Sequence, residues 1–248
     1  MLIDAHCHIN SLLPDTAKAV LDTNSDYIFV DVSIDTETSL KSLNLSGKYG
    51  FIYSSLGFHP FADEEFSIDT IEKYREFIKN NPKTVAIGEI GLDYKSRLSF
   101  FEQSNIFREF IKLSLEFNLP LVLHNRWHND AILGILDDYL RDYKQVIFHC
   151  FSQDIHFLER ILAKNGNVSF SLNVLRKTKK IDEALKEIPL GNMLLETDSP
   201  YMKIYGEYST PLDIEKVYNY VATVKDISFD KLQNVVYSNA RRIFSWEN

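Results

Sequence analysis

The first residues able to do chemistry are His6 and His8, in the stretch Asp4-Ala5-His6-Cys7-His8. If Leu2 to His8 is extended, a period of two turns Asp4, His6 and His8 to one face, and the two imidazoles can converge on one ion. The plainer alternative is two half-buried polar side chains near a terminus, and the rest of the chain must decide between them. Five of the seven histidines, His6, His8, His59, His124 and His149, fall at or just beyond the ends of short apolar runs, as do Glu89 and Asp198. Together these nitrogen and carboxylate donors form a ligand set suited to a divalent metal. His128, inside RWHND, takes no assigned role, and His156 reads as a surface or helix histidine.

The elements that must carry these residues recur along the chain. Apolar runs lie at Leu2 to Ile3, Tyr27 to Val32, Phe51 to Leu56, Thr84 to Ile87, Leu121 to Leu123, Val146 to Phe148, Asn167 to Leu172 and Met193 to Leu195. Between them, apolar residues at three and four spacing predict helices, for example Ile68, Ile71, Tyr74, Phe77 and Ile78, or Phe107, Phe110, Ile111 and Leu115. Alternating strands and helices imply a parallel sheet. Eight units, with no G-x-G-x-x-G turn after the first strand, fit an α/β fold of the (β/α)8 TIM barrel type better than an open doubly wound sheet. Helix-like segments at Ile214 to Lys225 and Phe229 to Phe244 would close the ring. Functional residues of such barrels gather at the carboxyl ends of the strands, which is where the five histidines, Glu89 and Asp198 fall.

Composition bounds the possibilities. A chain of 248 residues, 45% apolar, with 17 Phe and 13 Tyr, can bury one large core, and no linker or low-complexity stretch divides it, so 1–248 reads as a single domain. The formal net charge of -8 argues against bulk attraction to nucleic acid or anionic membrane, though not against a local positive site. No apolar run approaches the roughly 20 residues of a membrane span, and the start shows no leader pattern, so a cytoplasmic protein is expected. Cys7 and Cys150 read as free thiols in a reducing compartment, each turned by alternation away from its neighbouring histidine and serving packing.

The ordered set DAHCH, GFHP, GEIGLDY, LVLHNR, HCFS and ETDSPY resembles the TatD family of metal-dependent nucleases, within the amidohydrolase superfamily, over nearly the whole chain. The ordered set is far more specific than His-x-His alone. The resemblance implies that His6, His8, Glu89, His124, His149 and Asp198 bind metal, and that the substrate is DNA, with RNA a further possibility. The residue chemistry agrees. Glu89 can bridge two divalent ions (Zn2+, Mn2+ or Mg2+) through its two oxygens, with His6, His8 and Asp198 around one and His124 and His149 around the other. Two ions near two carboxylates also leave the mouth positive on an acidic protein. On this reading Glu89 and Asp198 are catalytic, and Asp198 takes the proton of a water that attacks phosphorus. Gln153 and the segment GEYSTP, Gly206 to Pro211, depart from the family pattern and leave nearby substrate contacts open.

Around these groups, Asp4, Asp93 and Glu196 are candidates to orient the histidines, the alternative for each being a buried carboxylate bonded to backbone. His59 reads as a donor to the scissile phosphate rather than a ligand. Arg126 could hold a phosphate oxygen through its planar fork or make a surface ion pair, and Tyr201 could stack a base or belong to the core. Arg176, Lys177, Lys179 and Lys180 follow the seventh strand, a place where barrels often bind phosphate and where charge runs also simply begin a helix. The rival functions are an amidohydrolase acting on a C–N bond, whose bridging group is often a modified lysine, and a catalytically silent barrel scaffold.

Overall fold

The computed structural model describes residues 1–23, 26–204 and 206–246. Strand and helix alternate as β1 (Leu2–Cys7), α1 (Pro14–Leu21), β2 (Tyr27–Val32), α2 (Thr36–Lys48), β3 (Ile52–Leu56), α3 (Ile68–Asn80), β4 (Thr84–Asp93) and α4 (Phe100–Phe117). The second half continues with β5 (Leu121–Arg126), α5 (Asn129–Asp137), β6 (Val146–Phe148), α6 (Ile155–Ala163), β7 (Asn167–Phe170), α7 (Lys179–Glu187) and β8 (Met193–Leu195). A two-stranded hairpin, β9 (Lys203–Ile204) with β10 (Glu207–Tyr208), precedes α8 (Ile214–Lys225) and α9 (Phe229–Phe244). Among the described residues the first eight strands pair in parallel in sequence order. Asp198 N donates to His6 O at 2.9 Å and His8 N donates to Ser199 O at 2.8 Å, bonds that bring the end of β8 back to β1. The architecture is a single (β/α)8 barrel. No helix among the described residues is long and apolar enough to cross a membrane.

Local chemistry fixes the helix starts. Ser99 opens α4 with a capping box in which Ser99 N donates to Glu102 Oε2 at 2.7 Å and Ser99 Oγ accepts from Glu102 N at 3.3 Å. Such a cap contributes about 1 kcal/mol. The buried stripe of α4 runs through Ile106, Phe107, Phe110, Ile111 and Leu113. Leu115, expected on that stripe, is 52% exposed. At 100° per residue it lies roughly 80° round the helix from Phe107, whereas the buried Ser114 lies within about 20°. Fully buried rings such as Phe107, Phe110 and Phe170 anchor the core, and truncating one to alanine costs about 3–5 kcal/mol. A smaller apolar cluster of Cys7, Ile9, Val20, Phe29 and Ile52 forms beside it, and in it Cys7 is wholly buried, as expected.

Two irregularities in the ladder aim side chains at the mouth. Between β1 and β2, Asp4↔Phe29 is followed by Cys7↔Asp31, and between β4 and β5, Ile87↔Leu121 is followed by Ile90↔Leu123. Each inserts one extra residue, the count of a β-bulge, around His6 in the first case and Gly88 and Glu89 in the second. β4 also outruns its apolar stretch, because pairing continues through Gly91↔His124 and Asp93↔Arg126 where the side chains have turned polar.

Candidate active site at the mouth of the barrel

Glu89 sits at the centre of the mouth. It is 4% exposed, and Gly57 and Gly91 allow its strand to be there. A Cβ on Gly57 would overlap the Glu89 backbone, and one on Gly91, whose φ is 143°, would overlap the His124 carbonyl. The two oxygens of Glu89 face different partners. Oε1 lies 2.7 Å from His124 Nδ1, 2.7 Å from His149 Nε2 and 3.3 Å from His59 Nε2. Oε2 lies 3.4 Å from His6 Nε2 and 3.8 Å from His8 Nε2. Asp198 Oδ1 completes that side, 3.5 Å from His8 Nε2 and 4.0 Å from His6 Nε2.

The partners on the far side of each ring decide which nitrogen carries a lone pair into the centre. His8 Nδ1 donates to Val32 O at 2.8 Å, so Nε2 is free to ligate. His124 Nε2 donates to Asp93 Oδ2 at 2.8 Å, which leaves Nδ1 facing Glu89. His149 Nδ1 faces Glu196 Oε1 at 3.5 Å, too long for a good hydrogen bond but enough to favour the proton there. His6 Nδ1 is buried with no hydrogen-bond partner among the described residues, and its Nε2 lies 3.2 Å from His8 Nε2. Ring nitrogens facing one another and a carboxylate this closely repel unless a cation, a proton or a metal, lies among them. The donor set therefore fits divalent ions.

His59 behaves differently. Its Nδ1 accepts from Phe61 N at 3.1 Å, so the ring proton is on Nε2, the atom turned to the mouth. Binding a metal through Nε2 would move that proton to Nδ1 and break the bond to Phe61. His59 is thus a neutral donor, and burial lowers its pKa to about 4.

Charge follows the same geometry. Burial disfavours ionised Glu89, yet the charge of His149 and the hydrogen bonds of His124 and His149 hold its pKa well below the usual range. Burial likewise opposes charge on His149, but Glu89 and Glu196 raise it well above an ordinary histidine. Burial, then the neighbouring His149, lower His6. For Asp198, burial is outweighed by the His8 hydrogen bond and the charges of His149, His6 and His8, so the group stays ionised. Its φ of 57° is left-handed, a conformation costing about 1–3 kcal/mol outside glycine, and the bond of its N to His6 O holds it.

The cavity above these groups is about 560 Å³, and its lining includes His8, His59, Glu89, His124, His149, Asp198, Arg126 and Tyr201. His6 lies beneath them, wholly buried. The Arg126 side chain is 54% exposed, with Nε 3.8 Å from Asp93 Oδ2. Tyr201 is edge-on to His8, with ring centroids 4.8 Å apart, and 55% exposed, so it is no core residue. Arg176 also lines the cavity from the turn after β7, whereas Lys179 and Lys180 begin α7. His128 stands at the start of α5, and His156 is exposed on α6.

Two expectations change. Asp4 does not orient an imidazole. It accepts from Thr197 N at 2.9 Å and Thr197 Oγ1 at 2.6 Å, tying β1 to the segment that carries Asp198. Cys150 does not face away: at a φ of 45° the chain leaves the strand alternation, and the residue lines the cavity. Gln153 Nε2 donates to Asn125 O at 3.0 Å, so this departure from the family pattern braces the loop after β6 against the end of β5. In the other departure, Ser209 bonds to Ser199 Oγ at 2.8 Å, next to Asp198. Sequence reasoning passed over Trp127 and Tyr94, because nothing in a sequence tells an aromatic that fills a core from one left in solvent.

A family model described as TatD related DNase matches residues 3–245. A metal-dependent hydrolase of Bacillus subtilis, YabD, is 31% identical over 98% of this chain and 99% of its own length. A protein of Pantoea vagans named 3'-5' ssDNA/RNA exonuclease TatD is 31% identical over 79% of this chain and 78% of its own. The crystal structure of YJJV, a TatD homologue from Escherichia coli, superposes with a TM-score of 0.87 at 24% identity, covering 99% of this chain and 98% of that one, which speaks for the fold alone.

Proposed function

The chain belongs to the TatD-related DNase family of metal-dependent hydrolases, and from that premise we propose that it hydrolyses phosphodiester bonds in DNA, and in RNA where the chain is single-stranded. The observation that carries the reading is Glu89, whose two oxygens divide the surrounding imidazoles into two sets. His6, His8 and Asp198 would hold one divalent ion and His124 and His149 the other, with Glu89 shared, and Zn2+, Mn2+ or Mg2+ suits such donors. When bound, the ions would supply Lewis acidity toward a phosphate oxygen and acidify a water molecule.

The chain's own groups do the rest. Asp198, ionised and at the cavity wall, accepts the proton of the attacking water as general base. Glu89 is catalytic through its position: held ionised under the reacting phosphate, it keeps the imidazoles of both sets in register. His59 donates Nε2–H to a non-bridging phosphate oxygen, for which its proton is already correctly placed. Arg126 offers a planar fork to the same or the next phosphate, and Tyr201 offers an exposed ring to a base. The whole chain 1–248 would act as one barrel, in a reducing cytoplasm that suits the free thiols Cys7 and Cys150.

The C–N hydrolase alternative often carries a bridging modified lysine, and none of the described residues lining the cavity is a lysine. A silent scaffold would have no use for five converging imidazoles. The deciding experiment is to incubate metal-loaded protein with end-labelled single- and double-stranded DNA and RNA and read the product ladder. Absence of cleavage on every substrate would refute the proposal, and the ladder's direction would distinguish exonuclease from endonuclease.

A further inference from the structure

Trp127 stands immediately beyond β5, three residues after His124, and is 79% exposed. Its φ is 67°, the left-handed region, which costs a bulky non-glycine residue about 1–3 kcal/mol. Neither burial nor favourable backbone repays that arrangement within the fold. Its aromatic neighbour is Tyr94, just beyond β4, with ring centroids 6.3 Å apart at 83°, and Tyr94 is itself 52% exposed. The pair is held at fixed height over the mouth, because Asp93↔Arg126 is the last register pair of the two strands and Tyr94 N points at Arg126 O, 3.4 Å away. Cations flank it. Lys95 Nζ lies 5.5 Å from the Tyr94 ring centre, and Arg126 connects the pair to the cavity.

We propose that the Tyr94–Trp127 edge-to-face pair is a stacking platform for a base of single-stranded nucleic acid, with Arg126 and Lys95 against the phosphates between that base and the scissile bond. The inference rests on the nuclease reading and extends it to the run of the strand away from the site. Flat exposed rings next to cations, continuous with a site for phosphates, match a single strand, whose bases are free to leave their own stack. A duplex keeps its bases covered and cannot use the platform. Three residues of extended chain span roughly 10 Å from His124 to Trp127, so the strand must run on beyond the scissile phosphate to meet the pair. Oligonucleotides too short to reach should not sense the pair.

Trp127 is also the probe. The chain has two tryptophans, and the other, Trp246, is 7% exposed and stacked on Tyr53 and Phe244. Metal-loaded full-length protein is titrated with a hydrolysis-resistant phosphorothioate single strand of eight nucleotides, a dinucleotide and an eight-base-pair duplex. The eight-nucleotide strand should quench the emission, and the other two should leave it nearly unchanged. Trp127→Ala and, separately, Tyr94→Ala should weaken single-strand binding about tenfold, read by fluorescence anisotropy of a labelled strand, while Trp127→Tyr should keep most of it. Cleavage of ordinary single-stranded DNA by wild type, combined with unchanged emission and equal affinity in the alanine variants, would overturn the platform and leave the nuclease reading intact. Failure of wild type to cleave any nucleic acid would remove both.

Discussion

Asp93 Oδ2 accepts the Nε2 proton of His124 at 2.8 Å, and so commits the opposite nitrogen of that ring, Nδ1, to the 2.7 Å approach to Glu89. The carboxylate that sets the tautomer lies wholly buried four residues beyond Glu89, on the same strand. Replacing Asp93 by Asn, which can turn a donor toward His124, should lower metal affinity about 10- to 100-fold. Competition against a chelator of known affinity would measure it. Wild-type affinity in a folded Asp93→Asn protein would show that the tautomer is set by something else.

Chelation should abolish hydrolysis, and Mn2+, Mg2+ or Zn2+ should restore it. Among the described residues the mouth offers no serine–histidine–carboxylate relay, and burial pushes the thiol pKa of Cys150 well up, away from a reactive thiolate. Turnover that survives exhaustive chelation would sink the metal-dependent mechanism.

Glu89→Ala should lose metal from both positions, whereas His59→Ala should keep its metal and lose turnover. The contrast follows from the orientation of each side chain: two acceptor oxygens facing both sets in one case, and a proton already on the facing nitrogen in the other. Elemental analysis of the two purified variants, alongside single-turnover rates, makes the comparison. Equal metal loss would mean that one of the two roles is misassigned.

Asp198→Asn keeps an oxygen and the shape of the side chain but removes charge and basicity. The variant should still take up metal and bind DNA, with turnover reduced by roughly 10²- to 10⁴-fold, the contribution of a general base. Metal stoichiometry, DNA affinity and rate are to be measured on one preparation. A metal-loaded variant within a few-fold of wild type would mean that the proton leaves by another route.

Gly91→Ala should destabilise the barrel by at least about 1–3 kcal/mol, since φ is 143° and the added carbon meets the His124 carbonyl. For a chain of this size that is several degrees of Tm, seen by circular dichroism. An unchanged Tm would show that β4 and β5 can separate there without cost.

Much of this protein was legible along the chain. The strands Tyr27–Val32, Val146–Phe148 and Met193–Leu195 and the helices Ile214–Lys225 and Phe229–Phe244 have the bounds their apolar patterns suggest, because periodic burial leaves its period in the sequence. That His6, His8, His59, Glu89, His124, His149 and Asp198 would meet was legible too, since a barrel gathers the carboxyl ends of all its strands at one mouth. Tertiary structure decided what each does there. Whether Asp4 faces an imidazole or Thr197, whether Asp93 reaches His124, and which nitrogen of His59 bears the proton depend on bulges and cross-strand distances that no period encodes. Cys150 entered the cavity because a left-handed residue ends the alternation on which its placement relied. The exposure of Trp127 had no signature in the sequence: burial is a property of what packs against a residue, and that is settled only once the strands have closed.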